Sequence, residues 1–176
     1  MTDTMTTTMP ETMIKGRPRA RSQDSGSLAN FLPYQLSIAS NAVSSVIAER
    51  YRKKFGLKVA EWRVMAVLGD AGIRGTRMTQ RTIAAATLMD KVAVNRACKV
   101  LEDRALVGRV RNEEDGRSHL LELTDEGRAI HGEILPLAHA TERELFDGFD
   151  AGEEAALRAM LERMRVRACE MLDDAD

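Results

Sequence analysis

Two helix-start signals lie close together in the middle of the chain. Thr79 and Asp90 are both residue types that favour the N-cap position, and an amphipathic run follows each of them. Only the four-residue connection TLMD, residues 87–90, separates the two runs. Two short helices joined so tightly are the sequence form of a helix-turn-helix. This pairing therefore restricts the middle of the chain to a small helical motif that presents one helix to its surroundings.

The second of these predicted helices has two chemically different faces. At about 100° per residue, the apolar face consists of Val94, Ala97, Cys98, Leu101 and Ala105. The opposite face consists of Val92, Asn95, Arg96 and Lys99. Such side chains suit base edges, phosphates and thymine methyl groups, although a merely solvated polar face would have the same composition. Cys98 is interpreted as a small buried hydrophobe.

A predicted β-hairpin, RVRNEEDGRSHLLELT (109–124), follows this helix. Its two extended runs flank Asp115-Gly116, a dipeptide that is among the strongest short hairpin signals. A hairpin attached to a helix-turn-helix is a wing, and its arginines Arg109, Arg111 and Arg117 could reach phosphates or the minor groove. We expect Asp115 to hold Arg117 or a neighbouring arginine in place. The alternative is a structural hairpin whose arginines serve solubility.

Helical patterns flank this central segment on both sides. One begins at Leu32 and ends before Gly56, and a second, nearly all apolar, is expected to end at Gly69 and Gly72. After Gly127 come two long amphipathic patterns, AIHGEILPLAHATERELFDGF and DAGEEAALRAMLERMRVRACEML. The second opens with a capping-box arrangement. Residues 1–30 contain almost no aliphatic side chains, which predicts a disordered N-terminal tail.

Composition excludes several classes of protein. No apolar run is long enough for a membrane span, and the first residues lack the apolar core of a signal peptide. The two cysteines match no disulfide or metal framework. We therefore expect a cytoplasmic protein without a bound metal. No glycine-rich phosphate loop, nucleophile elbow or paired catalytic carboxylates appear, which disfavours an enzyme. Residues 73–118 carry 10 basic and 6 acidic side chains, whereas residues 119–176 carry 6 and 15. A basic middle and an acidic end suggest that one region meets a polyanion.

The segment 90–127 resembles the recognition helix, wing and following helix start of MarR-type transcriptional regulators. The matching residues are Leu101, Glu102, Leu106, Val107, Arg109, Asp115, Arg117, Leu123, Thr124 and Gly127. Two positions depart from the pattern: Ala105 replaces the usual glycine, and Gly116 stands where arginine is common. The resemblance covers residues 31–172 and includes FGLKVAEWRVMAVL, which is similar to the second helix of the family.

The resemblance implies a mainly α winged helix-turn-helix with a small β-hairpin wing and long N- and C-terminal dimerisation helices. We expect a MarR-type domain over 31–176, with the winged helix-turn-helix at 57–124 and dimerisation helices at 31–56 and 125–174. A homodimer would bind a pseudo-palindromic double-stranded DNA operator. The predicted DNA contacts are Thr79, Gln80, Lys91, Val92, Ala93, Asn95, Arg96, Lys99, Arg109, Arg111, Arg117 and Ser118. Asp115 and Gly116 are expected to shape the wing.

Such regulators commonly respond to a small effector, often an aromatic acid or its coenzyme A thioester. YQLSIASNAVSS together with EWRVMAVL is similar to the branch that governs hydroxycinnamate and other lignin-derived aromatic compounds. The candidate effector residues are Tyr34, Ser37, Asn41, Arg63 and His131. Arg63 is expected to be a buried guanidinium that needs a counter-charge, which an intramolecular ion pair would equally supply. The alternative for the polar face of the first helix is a surface that is only solvated.

The leading hypothesis is therefore a ligand-responsive DNA-binding repressor of aromatic-compound catabolism that uses no cofactor. One alternative is a winged-helix module that binds protein instead of DNA. Another is a MarR-type regulator that responds to a redox signal or a drug-like compound. The histidines lack the neighbouring ligands that a zinc site requires, although His131 could donate to an effector.

Overall fold

The computed structural model describes residues 27–113, 115 and 117–174. Its helices and strands are α1 (Leu32–Phe55), α2 (Val59–Ile73), α3 (Gln80–Thr87), α4 (Lys91–Asp103), β1 (Val107–Arg111), β2 (His119–Leu123), α5 (Asp125–Leu145) and α6 (Ala151–Asp173). A 3₁₀ turn, Leu28–Asn30, precedes α1. The predicted fold class, mainly helical with one antiparallel hairpin, is confirmed. Most of the predicted disordered tail, residues 1–26, lies outside the described residues.

The chain divides within α1 into two compact units, residues 1–39 and 40–176. In the described part of the first unit, the Ser27 side chain accepts a hydrogen bond from the Ala29 amide, and Gln35 Nε2 donates to the Ala29 carbonyl oxygen. The second unit contains the winged helix-turn-helix, α5, α6 and the end of α1.

A single apolar core holds the elements of the second unit together. It is formed by side chains from the end of α1, from α2, α3, α4 and α5, and from both strands. The largest fully buried apolar side chains are Tyr51, Leu57, Met65, Ile83, Leu101, Leu121 and Ile134. Burial raises the pKa of the Tyr51 hydroxyl to about 12, which keeps this side chain neutral. The core thus fixes the position of α4 relative to the hairpin.

The second helix does not end where the glycines predicted. α2 continues through Gly69 and Gly72 to Ile73, so that expectation is wrong. Gly69 has another role, because a Cβ atom built there would lie 2.4 Å from His131 Nε2. The absence of a side chain lets the imidazole pack directly on the helix backbone. The left-handed glycine comes later, at Gly75, where φ is +68°.

The end of α4 also differs from the prediction. Ala105 does not continue the apolar face of the helix, because α4 ends at Asp103 and Ala105 is exposed with φ +55°. The Leu106 amide donates to the Leu101 carbonyl oxygen, and the Ala105 amide donates to that of Glu102. This is a Schellman motif, whose left-handed position usually holds glycine. Alanine here occupies a backbone conformation that disfavours a Cβ atom.

A tight junction joins this turn to the start of α5. Thr124 donates from its backbone amide to the Leu106 carbonyl oxygen (3.1 Å) and from Oγ1 to the Ala105 carbonyl oxygen (2.7 Å). The same Oγ1 accepts from the Gly127 amide and so caps α5. A Cβ atom at Gly127 would lie 2.0 Å from the Leu106 carbonyl oxygen. Only glycine therefore allows the helix to approach this closely.

The wing strands pair in the register Val107↔Leu123 to Arg111↔His119. Met78 adds a bridge to Leu121 on the other side of β2, with hydrogen bonds in both directions. This bridge ties the segment before α3 to the hairpin, so α3 and the wing are held together by backbone contacts.

The last helix leaves its apolar side chains uncovered. Among the described residues of α6, none is buried, although the capping box of Asp150 and Glu153 is formed as predicted. The exposed apolar side chains of α6 include Met160, Leu161, Met164, Val166, Met171 and Leu172. None of the helices in the described ranges is long and apolar enough to cross a bilayer.

Candidate nucleic-acid interface

One face of α4 is directed away from the core. Val94, Ala97, Cys98 and Leu101 are buried, whereas Lys91, Val92, Asn95, Arg96 and Lys99 are exposed and Ala93 is half-buried. The side chain of Asp90 caps the helix by accepting from the Ala93 amide at 2.8 Å. Apart from Ala105, both predicted faces of α4 are present, and so are both predicted N-caps of the motif. The exposed face thus combines apolar, amide and cationic groups in one stripe.

The cations on this face differ in their partners. Lys99 Nζ pairs with Asp103 Oδ1 at 2.6 Å, one turn further along, and that carboxylate raises the pKa of Lys99. No carboxylate pairs with Lys91 or Arg96 within the part of the chain that the structure describes. Lys91 lies in the first turn of α4, where the helix dipole disfavours a cation. A cation in the first turn of α4 is consistent with a site that binds an anion.

The start of α3 lies against this face. Thr79 caps α3 by accepting from the Thr82 amide at 3.1 Å. Asn95 Nδ2 donates to Gln80 Oε1 at 3.4 Å, which links the first residue of α3 to the exposed face of α4. Arg81, which the sequence analysis missed, is exposed beside them. This residue could have been found from the sequence, because a cation in the first turn after an N-cap opposes the helix dipole.

The wing brings further arginines next to α3. Arg109 Nε donates to Glu102 Oε1 at 2.9 Å, which fixes the base of the wing to α4. Arg111 and Arg117 are exposed, and neither has a carboxylate partner among the described residues. The proposed interface therefore has both paired and unpaired arginines on its wing.

At the tip of the wing, β1 ends at Arg111 and β2 begins at His119. Asp115 holds Arg117 through the backbone, since its Oδ1 accepts from the Arg117 amide at 3.1 Å. Asn112 Nδ2 donates to Ser118 Oγ at 2.9 Å and closes the loop. Ser118 Oγ in turn donates to the Asp115 carbonyl oxygen. Gly116, predicted to shape this turn, lies outside the described residues.

A cleft of about 470 Å³ separates the start of α3 from the wing. The basic residues among those that line it are Arg81, Arg109 and Arg117, with His119 beside them. Thr79, Gln80 and Ser118 also line this cleft. The structure thus brings together predicted residues from both motifs, although they are separated by many residues in the sequence.

The candidate effector residues lie on α1, α2 and α5. Tyr34 and Ser37 lie in the first unit and are exposed, and Asn41 is exposed in the second. Arg63 is not buried as expected: it is exposed and donates to Ser44 Oγ at 3.2 Å. The reason is its place on α2, where Val64, Met65 and Leu68 occupy the core face.

His131 has the most constrained surroundings of these residues. Its ring stacks on Trp62 with centroids 5.6 Å apart and an interplanar angle of 27°. Trp62 also packs against Tyr51, with ring centroids 5.6 Å apart. Burial lowers the pKa of the His131 imidazole, which favours the neutral ring. Trp62 is half-buried and packs against the core.

The described residues form no metal site, and the thiol of Cys98 is not in a reactive environment. No group of three or more His, Cys, Asp or Glu side chains within those ranges is arranged to hold a metal ion. Cys98 is fully buried, and burial raises the pKa of its thiol to about 11. The thiolate, which is the reactive form, is therefore disfavoured at this position.

Comparisons with known proteins agree with this geometry. Residues 55–118 match the profile of the MarR family. The uncharacterized HTH-type transcriptional regulator YdgJ of Bacillus subtilis (strain 168) is 28% identical over 132 residues, which span 75% of this chain and 76% of that protein. A MarR/EmrR family transcriptional regulator from Acinetobacter sp. ADP1 is 24% identical, with a TM-score of 0.74 over 82% of this chain and 99% of its own.

A second similar structure is that of Bordetella bronchiseptica BpsR. It is 24% identical, with a TM-score of 0.66 over 77% of this chain and 98% of its own. These structural similarities show that the fold is shared beyond the matched segment, in the surrounding helices. The chain thus has the winged helix-turn-helix fold of these structures, and its central segment, residues 55–118, is similar to the MarR family.

Proposed function

We propose that this protein is a ligand-responsive transcriptional regulator that places α4 in the major groove of DNA and its wing against the backbone or the minor groove. The observation that carries the proposal is the exposed face of α4, where Val92, Asn95 and Arg96 stand opposite a fully buried apolar face. Guanidinium and amide groups pair with base edges, and small apolar groups contact thymine methyl groups. A helix face that only contacts solvent does not require apolar, amide and cationic side chains together beside a cationic wing.

In this proposal, phosphate contacts come from the edges of the face. Hydrogen-bond donors, backbone amides and positive charge for the phosphates come from the start of α3, the start of α4 and one later lysine. These residues are Thr79, Gln80, Lys91, Ala93 and Lys99. Arg111, Arg117 and Ser118 extend the contact along the wing, and Arg109 supports it through its ion pair with Glu102. Because phosphate contacts release counterions, binding should weaken steeply with salt.

We also propose that the protein acts as a homodimer formed through its terminal helices. The uncovered apolar side chains of α6 support this, since a second copy of the chain would remove them from water. Exposed apolar side chains on α1, such as Val43 and Val46, add to the surface available for the partner. A two-fold dimer would present two α4 helices to successive major grooves, about 34 Å apart, and so would favour a pseudo-palindromic operator.

The experiment is fluorescence anisotropy with duplexes from the region upstream of the coding sequence, over a range of salt concentrations. Arg96→Ala should reduce sequence preference if Arg96 contacts a base, with a loss of about 1–3 kcal/mol. Arg117→Ala should weaken all sequences similarly. As each dimer loses two cations, its log–log salt slope should fall by about 1.8. Lys53→Ala, a charge removed from the end of α1, is the matched control and should bind as the wild type does.

Two results would contradict the proposal. The wild-type protein would show no sequence-dependent binding to any of these duplexes, or both arginine variants would bind as the control does. Binding to a protein partner in place of DNA would then favour the winged-helix interaction module.

We further propose that the effector is an aromatic acid or its coenzyme A thioester, and that binding releases the operator of genes for aromatic-compound catabolism. His131 and Arg63 supply a ring and a cation on neighbouring helices of the second unit, and Tyr34, Ser37 and Asn41 are polar candidates on α1. The DNA binding of BpsR is regulated by 6-hydroxynicotinic acid, which has this chemistry. The buried, protonated Cys98 thiol weighs against the alternative of a redox signal.

Calorimetry with hydroxycinnamic acids, hydroxybenzoic acids and their thioesters tests this proposal, followed by anisotropy of the protein–DNA complex with each binder. An effector should bind the free protein more tightly than the DNA complex, because it can shift the equilibrium only by its differential affinity. Gly69→Ala, which forces the His131 ring to move, should weaken effector binding while DNA binding is retained. If no aromatic acid or thioester changes DNA binding, another signal controls the protein.

A further inference from the structure

An amide pair connects the two helices of the helix-turn-helix. Asn95, on the exposed face of α4, donates through Nδ2 to Gln80 Oε1 on the first residue of α3. Gln80 is half-buried and also lines the cleft towards the wing. Its own Nε2 atom is buried and has no hydrogen-bond partner within the described residues. The glutamine thus offers its carbonyl oxygen to Asn95 while its N–H groups remain unsatisfied.

This contact determines which groups Asn95 presents outward. The asparagine side chain has two N–H donors and one carbonyl acceptor. When one N–H binds Gln80, the second N–H and Oδ1 are left for a ligand. One donor beside one acceptor is the complement of adenine, whose N7 accepts and whose N6 amino group donates in the major groove. The reversed amide would present only donors, which suits the two acceptors of guanine.

We infer that Gln80 is a positioning residue that holds the Asn95 amide in the orientation that reads adenine. The inference deepens the proposed function and rests on it, since Asn95 must face a base for its orientation to matter. Gln80 acts through the carbonyl oxygen alone, and its side chain need not touch the base. Specificity at this base pair therefore depends on two helices, although one side chain makes the contact.

The buried N–H groups of Gln80 add a second argument. Buried polar atoms without partners are uncommon in folded proteins because they lose their hydrogen bonds to water. An apolar side chain of similar length would fill the same space without this loss. A glutamine at this position is therefore explained by its acceptor, which methionine lacks and glutamate keeps.

Three variants of the full-length protein separate these properties. Gln80→Met removes the acceptor, Gln80→Glu keeps an acceptor and removes the N–H groups, and Asn95→Ala removes the reading group. A duplex pool with random sequence would define the wild-type site, and a panel with each base pair replaced in turn would give the affinity ratios. Gln35→Met, the same chemical change on α1, is the matched control. Thermal unfolding checks that every variant is folded.

The expected result is a change at one position of each half-site. Asn95→Ala should lose the preference for adenine there, a loss of about 5- to 150-fold in discrimination. Gln80→Met should lose most of that preference at the same position and leave the ratios at other positions unchanged. Gln80→Glu should retain the preference, even if its added charge lowers affinity for every duplex alike. Gln35→Met should match the wild type.

The outcomes distinguish this inference from the proposed function. If the wild-type protein shows no sequence preference, the proposed function fails and the inference fails with it. If the wild type is specific and Gln80→Met keeps the same preference as the wild type, only the role of Gln80 is refuted. A loss spread over all positions in Gln80→Met, with no rescue by glutamate, would likewise refute it, because that pattern indicates general disruption of the interface.

Discussion

Replacing Ala105 with glycine should stabilise the protein. Ala105 is exposed and has φ +55°, at the left-handed position of the Schellman motif that ends α4. A left-handed L-residue costs about 1–2 kcal/mol relative to a right-handed one. Glycine removes this cost but gives the unfolded chain more freedom, which offsets about 0.4–1 kcal/mol. The difference is a net stabilisation of about 0–1.6 kcal/mol with a midpoint of about 0.8 kcal/mol, and that midpoint corresponds to a rise in Tm of about 2–3 °C for a chain of this size.

The assay is urea and thermal unfolding followed by circular dichroism at one fixed protein concentration, because the proposed dimer would make the apparent stability depend on concentration. Ala85→Gly is the matched control, since Ala85 is exposed and lies within α3. There the same substitution should destabilise the protein by about 1 kcal/mol. If Ala105→Gly lowers the midpoint as Ala85→Gly does, the backbone at residue 105 is not under strain and the reasoning is refuted.

Three further predictions concern other contacts of the second unit. Gly127→Ala should destabilise the protein by about 3 kcal/mol in denaturant titrations, because its Cβ would lie 2.0 Å from the Leu106 carbonyl oxygen; unchanged stability would contradict that packing. Asp90→Ala should cost about 1 kcal/mol in the same titrations through loss of the α4 cap, and an equal stability would show that the cap contributes little. Burial lowers the pKa of His131 in the folded protein. The stability that the neutral ring contributes should therefore be fully present above the pKa of the unfolded state, about 6.5, and should decline as the pH falls towards the pKa of the folded state. His131→Phe should flatten this part of the profile of unfolding free energy against pH. A profile identical to that of the wild type would show that His131 is not the group responsible.

Local signals in the sequence were sufficient for the helix-turn-helix. Thr79 and Asp90 cap α3 and α4 as predicted, because an N-cap depends on a side chain and an amide only a few residues away. The two faces of α4 followed from the helical period alone. The hairpin was also predictable, since its alternating pattern and turn residues are adjacent in the sequence.

Features that depend on distant contacts were not predictable in the same way. Gly69 was interpreted as a helix stop because the sequence gives no sign that His131 packs on it. Arg63 was expected to be buried because its neighbours are apolar, yet the core lies on another side of α2. The contact between Gln80 and Asn95 depends on the crossing of two helices, which no local pattern specifies.

The junction at Thr124 determines how movement can pass through the second unit. Two hydrogen bonds from Thr124 and the missing side chain of Gly127 leave no gap between the start of α5 and the turn that follows α4. A tilt of α5 must therefore move the first residues of the hairpin with it. A change in the angle of α5 that is too small to disturb the core would displace the arginines near the tip of the wing further than it displaces the junction itself. The reason is that these arginines lie far from the junction.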